Sequence, residues 1–199
     1  MTEDSDELFL EAMARFRAVI ERAKMTSLQE PMAVTLATAD QHGLPAARVV
    51  LLRQLDERGA VFYTNSRSAK ASQLAQNPKA ALCFHWDELR EQIRVVGDTE
   101  IVADDQADEY WARRPRDSQI GAWASKQSAV LDSRETFEKQ IEEYEKRFEG
   151  RDVPRPDFWT GYRVVPRQIE FWVGQPARLH ERVVYQRQHG QWDKRLLYP

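Results

Sequence analysis

The sequence predicts a mainly β fold with added helices (α+β), built as an antiparallel barrel. Three observations point there. Strand-like runs follow one another in hairpin-like succession, and the helices are inserted between groups of strands instead of alternating with each one. No Gly-x-Gly-x-x-Gly or Gly-x-x-x-x-Gly-Lys run occurs, so the glycine-rich phosphate cradles of parallel α/β folds are absent.

Asp4 to Met25 has helical periodicity, with Leu8, Ala12, Phe16, Val19, Ile20 and Ala23 on one face. Asp4, Asp6 and Glu7 place negative charge at its start, where the helix dipole favours it. The period then changes to that of strands: Met32–Ala39, Arg48–Arg53 and Ala60–Thr64, separated by the turn signals Asp40-Gln41-His42-Gly43 and Asp56-Glu57-Arg58-Gly59. The apolar middle of Arg48–Arg53 predicts burial on both faces. A short helix over Ser68–Gln76 stops before Pro78, and strands Ala80–Trp86 and Gln92–Val102 follow. Helices are expected over Asp104–Arg113 and Asp132–Phe148. The second has Asp132 and Glu135 at capping-box spacing and Gly150 as its stop. Strands Gly161–Val165, Gln168–Val173, Arg182–Gln188 and Trp192–Leu197 close the chain. Arg151–Pro156 reads as a crossing within one domain spanning residues 1–199.

With 42% hydrophobic residues among 199, a real core can form, and no apolar run approaches the length of a membrane span. The acidic start, Met1 to Glu7, lacks the basic and apolar regions of a secretory signal, so the expectation is a soluble cytoplasmic protein without a membrane partner. The single cysteine, Cys83, sits in an apolar run and reads as a small buried hydrophobe. The four histidines show no metal-ligand spacing. A net charge of −3 argues against a nucleic-acid partner, whereas arginines clustered in the C-terminal half suit a small anion such as a phosphate ester.

Three stretches carry candidate chemistry. Arg48-Val49-Val50-Leu51-Leu52-Arg53, taken alone, is a buried strand with solvated ends. It gains weight from Tyr63 and Thr64 at a strand end, followed by Lys70 at a helix start: a plausible phosphate site, with an ordinary exposed lysine as the alternative. Arg113 to Ser128 is dense in donors yet contains Ile120 and Trp123. It is either a ligand-binding segment or a structural loop pinned by Asp117 and Ser118. Strand alternation would put Arg178, His180 and Arg182 on one face, where three cations repel unless an anion binds. The competing reading is a solvent-facing edge strand.

These stretches resemble the pyridoxamine 5'-phosphate oxidase family from about Phe9 to Pro199. The matching runs are Arg-Val-Val-Leu-Leu-Arg, Phe-Tyr-Thr-Asn, the ten residues Arg114–Trp123, Ser-Lys-Gln-Ser (Ser125–Ser128) and Arg-Leu-His-Glu-Arg (Arg178–Arg182). The resemblance implies an FMN-binding split β-barrel that forms a homodimer with flavin at the subunit interface. It implies FMN contacts from Arg48, Val49, Val50, Leu51, Leu52, Arg53, Tyr63, Thr64, Lys70, Gln92, Gln127, Ser128, Trp172 and Arg182. Arg53, Tyr110, Arg114 and Ser118 would hold the substrate phosphate. Arg178, Leu179 and His180 would lie over the substrate ring, with Arg178 and His180 orienting substrate and handling protons. The implied reaction oxidises pyridoxamine or pyridoxine 5'-phosphate to the aldehyde with dioxygen.

Three departures from the family stand out. Arg53 occupies a position where lysine is usual, and Ala69 one where many members have a phosphate-binding arginine. The chain, beginning close to its first helix, is expected to lack the upstream arginine- and tyrosine-containing segment that covers substrate in some members. Two other readings stay open: a split-barrel FMN oxidase acting on phenazine precursors, and a protein that binds flavin or pyridoxal phosphate without turnover. Arg114, Ser118, Arg178 and His180 favour the B6 phosphate.

Overall fold

A computed structural model describes residues 3–199, so Met1 and Thr2 of the acidic start lie outside the described residues. The described residues build one curled antiparallel sheet of nine strands decorated by five α-helices. In chain order these are α1 (Glu3–Lys24), β1 (Ala33–Ala39), β2 (Pro45–Leu51), β3 (Gln54–Leu55), β4 (Ala60–Asn65), α2 (Ala69–Gln76), β5 (Lys79–Trp86), β6 (Glu91–Ile101), α3 (Asp104–Ala112), α4 (Arg116–Ala124), α5 (Arg134–Arg147), β7 (Trp159–Val173), β8 (Glu181–Gln188) and β9 (Gln191–Leu197). The sheet runs β2-β1-β5-β6-β7-β4-β3, and the β8–β9 hairpin continues from β7. The expected antiparallel architecture is therefore present.

Two apolar clusters fill it. The larger lies under α1, where Ala12, Met13, Phe16 and Ala23 are at most 1% exposed and meet Leu36, Phe84, Trp86 and Ile169. That is the apolar face set by the 3.6-residue period. The smaller gathers Val61, Trp111, Ile120, Phe148 and Trp159 beneath α3, α4 and α5. A buried ion cluster pins the β3–β4 turn to the sheet. Arg163, 4% exposed, donates to Glu100 at 2.7 Å and to both carboxylate oxygens of Asp56.

The structure corrects five expectations. Gly161–Val165 and Gln168–Val173 are one fifteen-residue strand, β7. Pro166 is tolerated there because the β6–β7 register shifts at Val96/Gly97. Gly97 is required at that shift, since a Cβ on it would lie 1.9 Å from the Val165 carbonyl oxygen. Arg116–Ala124 is helix rather than loop: Pro115 precedes its first turn, and Gln119, Ile120 and Ala124 supply a buried face. The cap of α5 is Ser133, whose hydroxyl accepts from the Thr136 N–H at 3.1 Å, not Asp132. Strand β2 is not buried on both faces. It is an edge strand paired only to β1, and Val49 is 65% exposed. Finally, Arg178 and His180 are not on a strand. Pro176–Arg178 forms a 3-10 turn with Ala177 and Arg178 at φ 55° and 61°, and β8 starts at Glu181.

Candidate active site

The site begins at α2. Ser68 caps this helix, which places Lys70 in the first turn and Gln73 one turn later on the same side. Lys70 Nζ donates to Gln127 Oε1 at 2.9 Å and to Thr64 Oγ1 at 3.2 Å, and the Thr64 hydroxyl donates to the same Gln127 oxygen at 2.8 Å. Gln73 faces Arg48, whose guanidinium donates to Gln73 Oε1 at 3.1 Å and to Thr38 Oγ1 at 2.6 Å. Every acceptor around these two cations is neutral. Burial, and after it the charge of Arg48, holds the Lys70 ammonium below the usual lysine range. Two cations that disfavour each other and meet no carboxylate form a site prepared for an anion.

A second cation pair, Arg53 and Arg114, lies beside β4. The rings of Tyr63, Tyr110 and Trp159 form a parallel slab: Tyr63 stacks on Tyr110 at 4.2 Å and on Trp159 at 5.0 Å. Arg114 lies over Trp159, with its guanidinium carbon 5.0 Å from the ring centre, and donates to the Ser118 carbonyl at 3.0 Å. Its Nε is buried without a hydrogen-bond partner. Burial lowers the Arg114 pKa, Tyr110 opposes that, and the charge of Arg53 lowers it further, so the two guanidinium groups sense one another. A cleft of about 280 Å³ lined by Tyr63, Thr64, Arg114, Ser118, Gln127 and Trp159 runs from Arg114 to Thr64 and Gln127, two of the acceptors of Lys70. Ser128, the residue after Gln127, has φ 73°, and exposed Arg53 follows buried Leu52.

The remaining expected residues gather elsewhere. Gln92, Trp172 and Arg182 are neighbours on β6, β7 and β8, and the His180 ring lies 4.6 Å from that of Trp172. His180 Nδ1 accepts the Gln175 N–H at 3.2 Å, so the neutral ring carries its proton on Nε2. Arg182 is already engaged: Nε donates to Glu170 at 2.8 Å and Nη1 to the Tyr198 carbonyl at 3.0 Å. Arg178 and Leu179 are exposed beside it. Trp172 lies twelve residues along β7 from Thr160, the register partner of Thr64 (172 minus 160). That is roughly 40 Å of strand. Among the described residues, no hydrogen bond, ion pair or ring contact joins this group to the Lys70 or Arg114 cluster. The expected residues thus fall into two separate groups in the chain.

Sequence reasoning missed Thr38, Gln73, Trp159 and Glu170. Gln73 was findable, because it follows Lys70 by three residues on a helix. Trp159 and Glu170 gave no local signal, since their partners come from distant segments.

A curled antiparallel sheet carrying cations with uncharged partners defines a protein of the split-barrel class. Residues 20–148 match the family model "Pyridoxamine 5'-phosphate oxidase", and residues 159–199 match "Pyridoxine 5'-phosphate oxidase C-terminal dimerisation region". A pyridoxine/pyridoxamine 5'-phosphate oxidase of Mesorhizobium japonicum is 50% identical over 195 residues, covering 96% of this chain and 95% of that one. One from Xanthomonas euvesicatoria is 50% identical over 197 residues, covering 97% and 99%. Among solved structures, PhzG of Burkholderia lata, in complex with tetrahydrophenazine-1-carboxylic acid, superposes with a TM-score of 0.87 at 31% identity over 96% of this chain and 92% of that one. A pyridoxamine 5'-phosphate oxidase-related, FMN-binding protein of Nostoc punctiforme shares the fold, with a TM-score of 0.74 at 22% identity over 94% and 96%. This chain belongs to the pyridoxamine 5'-phosphate oxidase family. Among the described residues no helix is long and apolar enough to cross a membrane.

Proposed function

We propose that this chain is an FMN-dependent oxidase that converts pyridoxamine 5'-phosphate and pyridoxine 5'-phosphate to pyridoxal 5'-phosphate, with dioxygen as electron acceptor. The observation that carries the reading is two cation pairs: Arg48 with Lys70, meeting only neutral acceptors, and Arg53 with Arg114, of which Arg114 lines a cleft together with Thr64 and Gln127, the residues that hold Lys70. One pair suits the phosphate of FMN and the other the phosphate of the substrate. Bound FMN supplies hydride acceptance from the substrate carbon and reoxidation by dioxygen, with release of hydrogen peroxide.

The residues divide the remaining work. Arg48, Thr64, Lys70 and Gln127 grip the cofactor phosphate, and Val49–Arg53, from β2 and the two residues after it, with Tyr63 and Ser128, lines the flavin. Arg114 offers a fork held flat on Trp159, so it presents fixed donors to the substrate phosphate alongside Arg53, Tyr110 and Ser118. Gln92, Trp172 and Arg182 complete the flavin site, and Arg178, Leu179 and His180 cover the substrate ring. His180 offers its Nε2–H as a donor that orients the amine or alcohol group of the substrate. Because these residues lie far along β7, they are supplied by a second copy of the chain. The matched dimerisation region, residues 159–199, contains five of those six. The amine substrate also releases ammonia once water hydrolyses its imine.

Relatives at about 50% identity, named for the B6 phosphates, support this substrate. The likeness to PhzG supports a second reading, in which the Arg53/Arg114 pair takes the carboxylate of a phenazine precursor. Anaerobic mixing decides between them. Pyridoxamine 5'-phosphate should bleach the yellow flavin band, and pyridoxamine without phosphate should do so far more slowly. A flavin that stays oxidised with the phosphate ester overturns the proposal.

A further inference from the structure

The grip on Arg48 comes from two residues outside the expected contacts, Thr38 and Gln73. Thr38 is 4% exposed on β1 and Gln73 is half-buried on α2. The three side chains close a triangle. Arg48 donates 2.6 Å to Thr38 Oγ1 and 3.1 Å to Gln73 Oε1, and the Thr38 hydroxyl donates 2.6 Å to that same Gln73 oxygen. Arg48 also reaches the Leu36 carbonyl at 3.4 Å. Two features matter. The brace fixes both terminal nitrogens of a long side chain on an exposed edge strand, which would otherwise keep its rotamer freedom. And it does so with uncharged acceptors, so the positive charge is not cancelled before a ligand arrives. The same helix carries Lys70, so α2 sets the spacing of both cations.

We infer that Gln73 and Thr38 are positioning residues that aim Arg48 beside Lys70 and thereby select phosphorylated flavin over the phosphate-free form. The inference rests on the FMN reading above. It explains why a neutral amide and a hydroxyl occupy positions where a carboxylate would bind arginine more tightly: Glu or Asp there would neutralise the charge the phosphate needs. It also offers a compensation for Ala69. Arg67 cannot serve while it lies over Phe158 and pairs with Asp157, so a rigid Arg48 carries more of the grip.

The test is titration of the full chain, freed of flavin, with FMN and separately with riboflavin, following quenching of flavin fluorescence. Gln73→Glu keeps an acceptor but adds charge, Gln73→Leu removes the acceptor, and Thr38→Val removes the hydroxyl while keeping the shape. Each should reduce the ratio of FMN to riboflavin affinity, on the order of tenfold for Gln73→Glu. Thr38→Ser should restore the wild-type ratio. A merely structural role would weaken both flavins together or neither. An unchanged ratio in both Gln73 variants, which lie near the surface and spare the core, overturns the inference. If the wild-type chain binds neither flavin, the cofactor reading falls and the inference with it.

Discussion

Arg114 shows how much one residue can carry. Its guanidinium is stacked on Trp159 and its Nε lacks a partner, so its orientation is set by the aromatic slab and its charge awaits an anion. Arg114→Met should raise KM for the phosphorylated substrate roughly 10- to 100-fold with a smaller change in kcat. Arg114→Lys should recover little, because lysine cannot lie flat and fork. Steady-state kinetics on both variants checks this. Lys70 gives a pH prediction. Burial and Arg48 hold its pKa below the ordinary lysine value, so its charge costs the folded chain free energy until pH rises through that lowered pKa. A phosphate dianion reverses the balance and favours the protonated form. FMN affinity should therefore fall with rising pH, starting below the usual lysine range, while riboflavin affinity stays flat. Lys70→Arg should remove the fall, as flavin titration across pH would show. At this scale the sequence was informative where donors sit close together, as in Thr64 and Lys70. It was silent where a side chain is aimed by a distant one, as Arg114 is by Trp159.

Elements were legible from periodicity and less so from their ends. The apolar face of α1 matched its burial because one helix packs on one sheet. Arg116–Ala124 was obscured by its polar composition, since only its buried face, Gln119, Ile120 and Ala124, reveals it as helix. The turn at Pro176–Arg178 broke the strand alternation assumed for Arg178 and His180, because positive φ at two non-glycine residues follows from tertiary context. Two predictions belong here. Ser133→Ala should weaken the first turn of α5 by about 1 kcal/mol while Asp132→Ala changes little, read as faster amide exchange at Thr136. Gly161 sits where a Cβ would come 2.7 Å from both the Tyr63 ring and Val102. Gly161→Ala should thus cost about 1–3 kcal/mol in denaturant unfolding, because the aromatic slab under Arg114 must shift.

At the scale of the whole molecule, the proposed function makes assembly part of the site, because its residues fall into two groups separated along β7. Lys70 and Arg114 stand at one end, and Trp172 and His180 at the other. A variant lacking the first half, such as Lys70→Ala, and one lacking the second, such as Arg178→Ala, should each lose most turnover. Co-expressed, they should regain part of it in mixed dimers, where one of the two sites is intact. Such complementation needs no new contact, only two chains. The most direct test of the central claim is turnover in air. The purified flavin-containing protein, given pyridoxine 5'-phosphate or pyridoxamine 5'-phosphate in air-saturated buffer, should yield pyridoxal 5'-phosphate and hydrogen peroxide in equal amounts. Bound flavin with neither product would contradict the account.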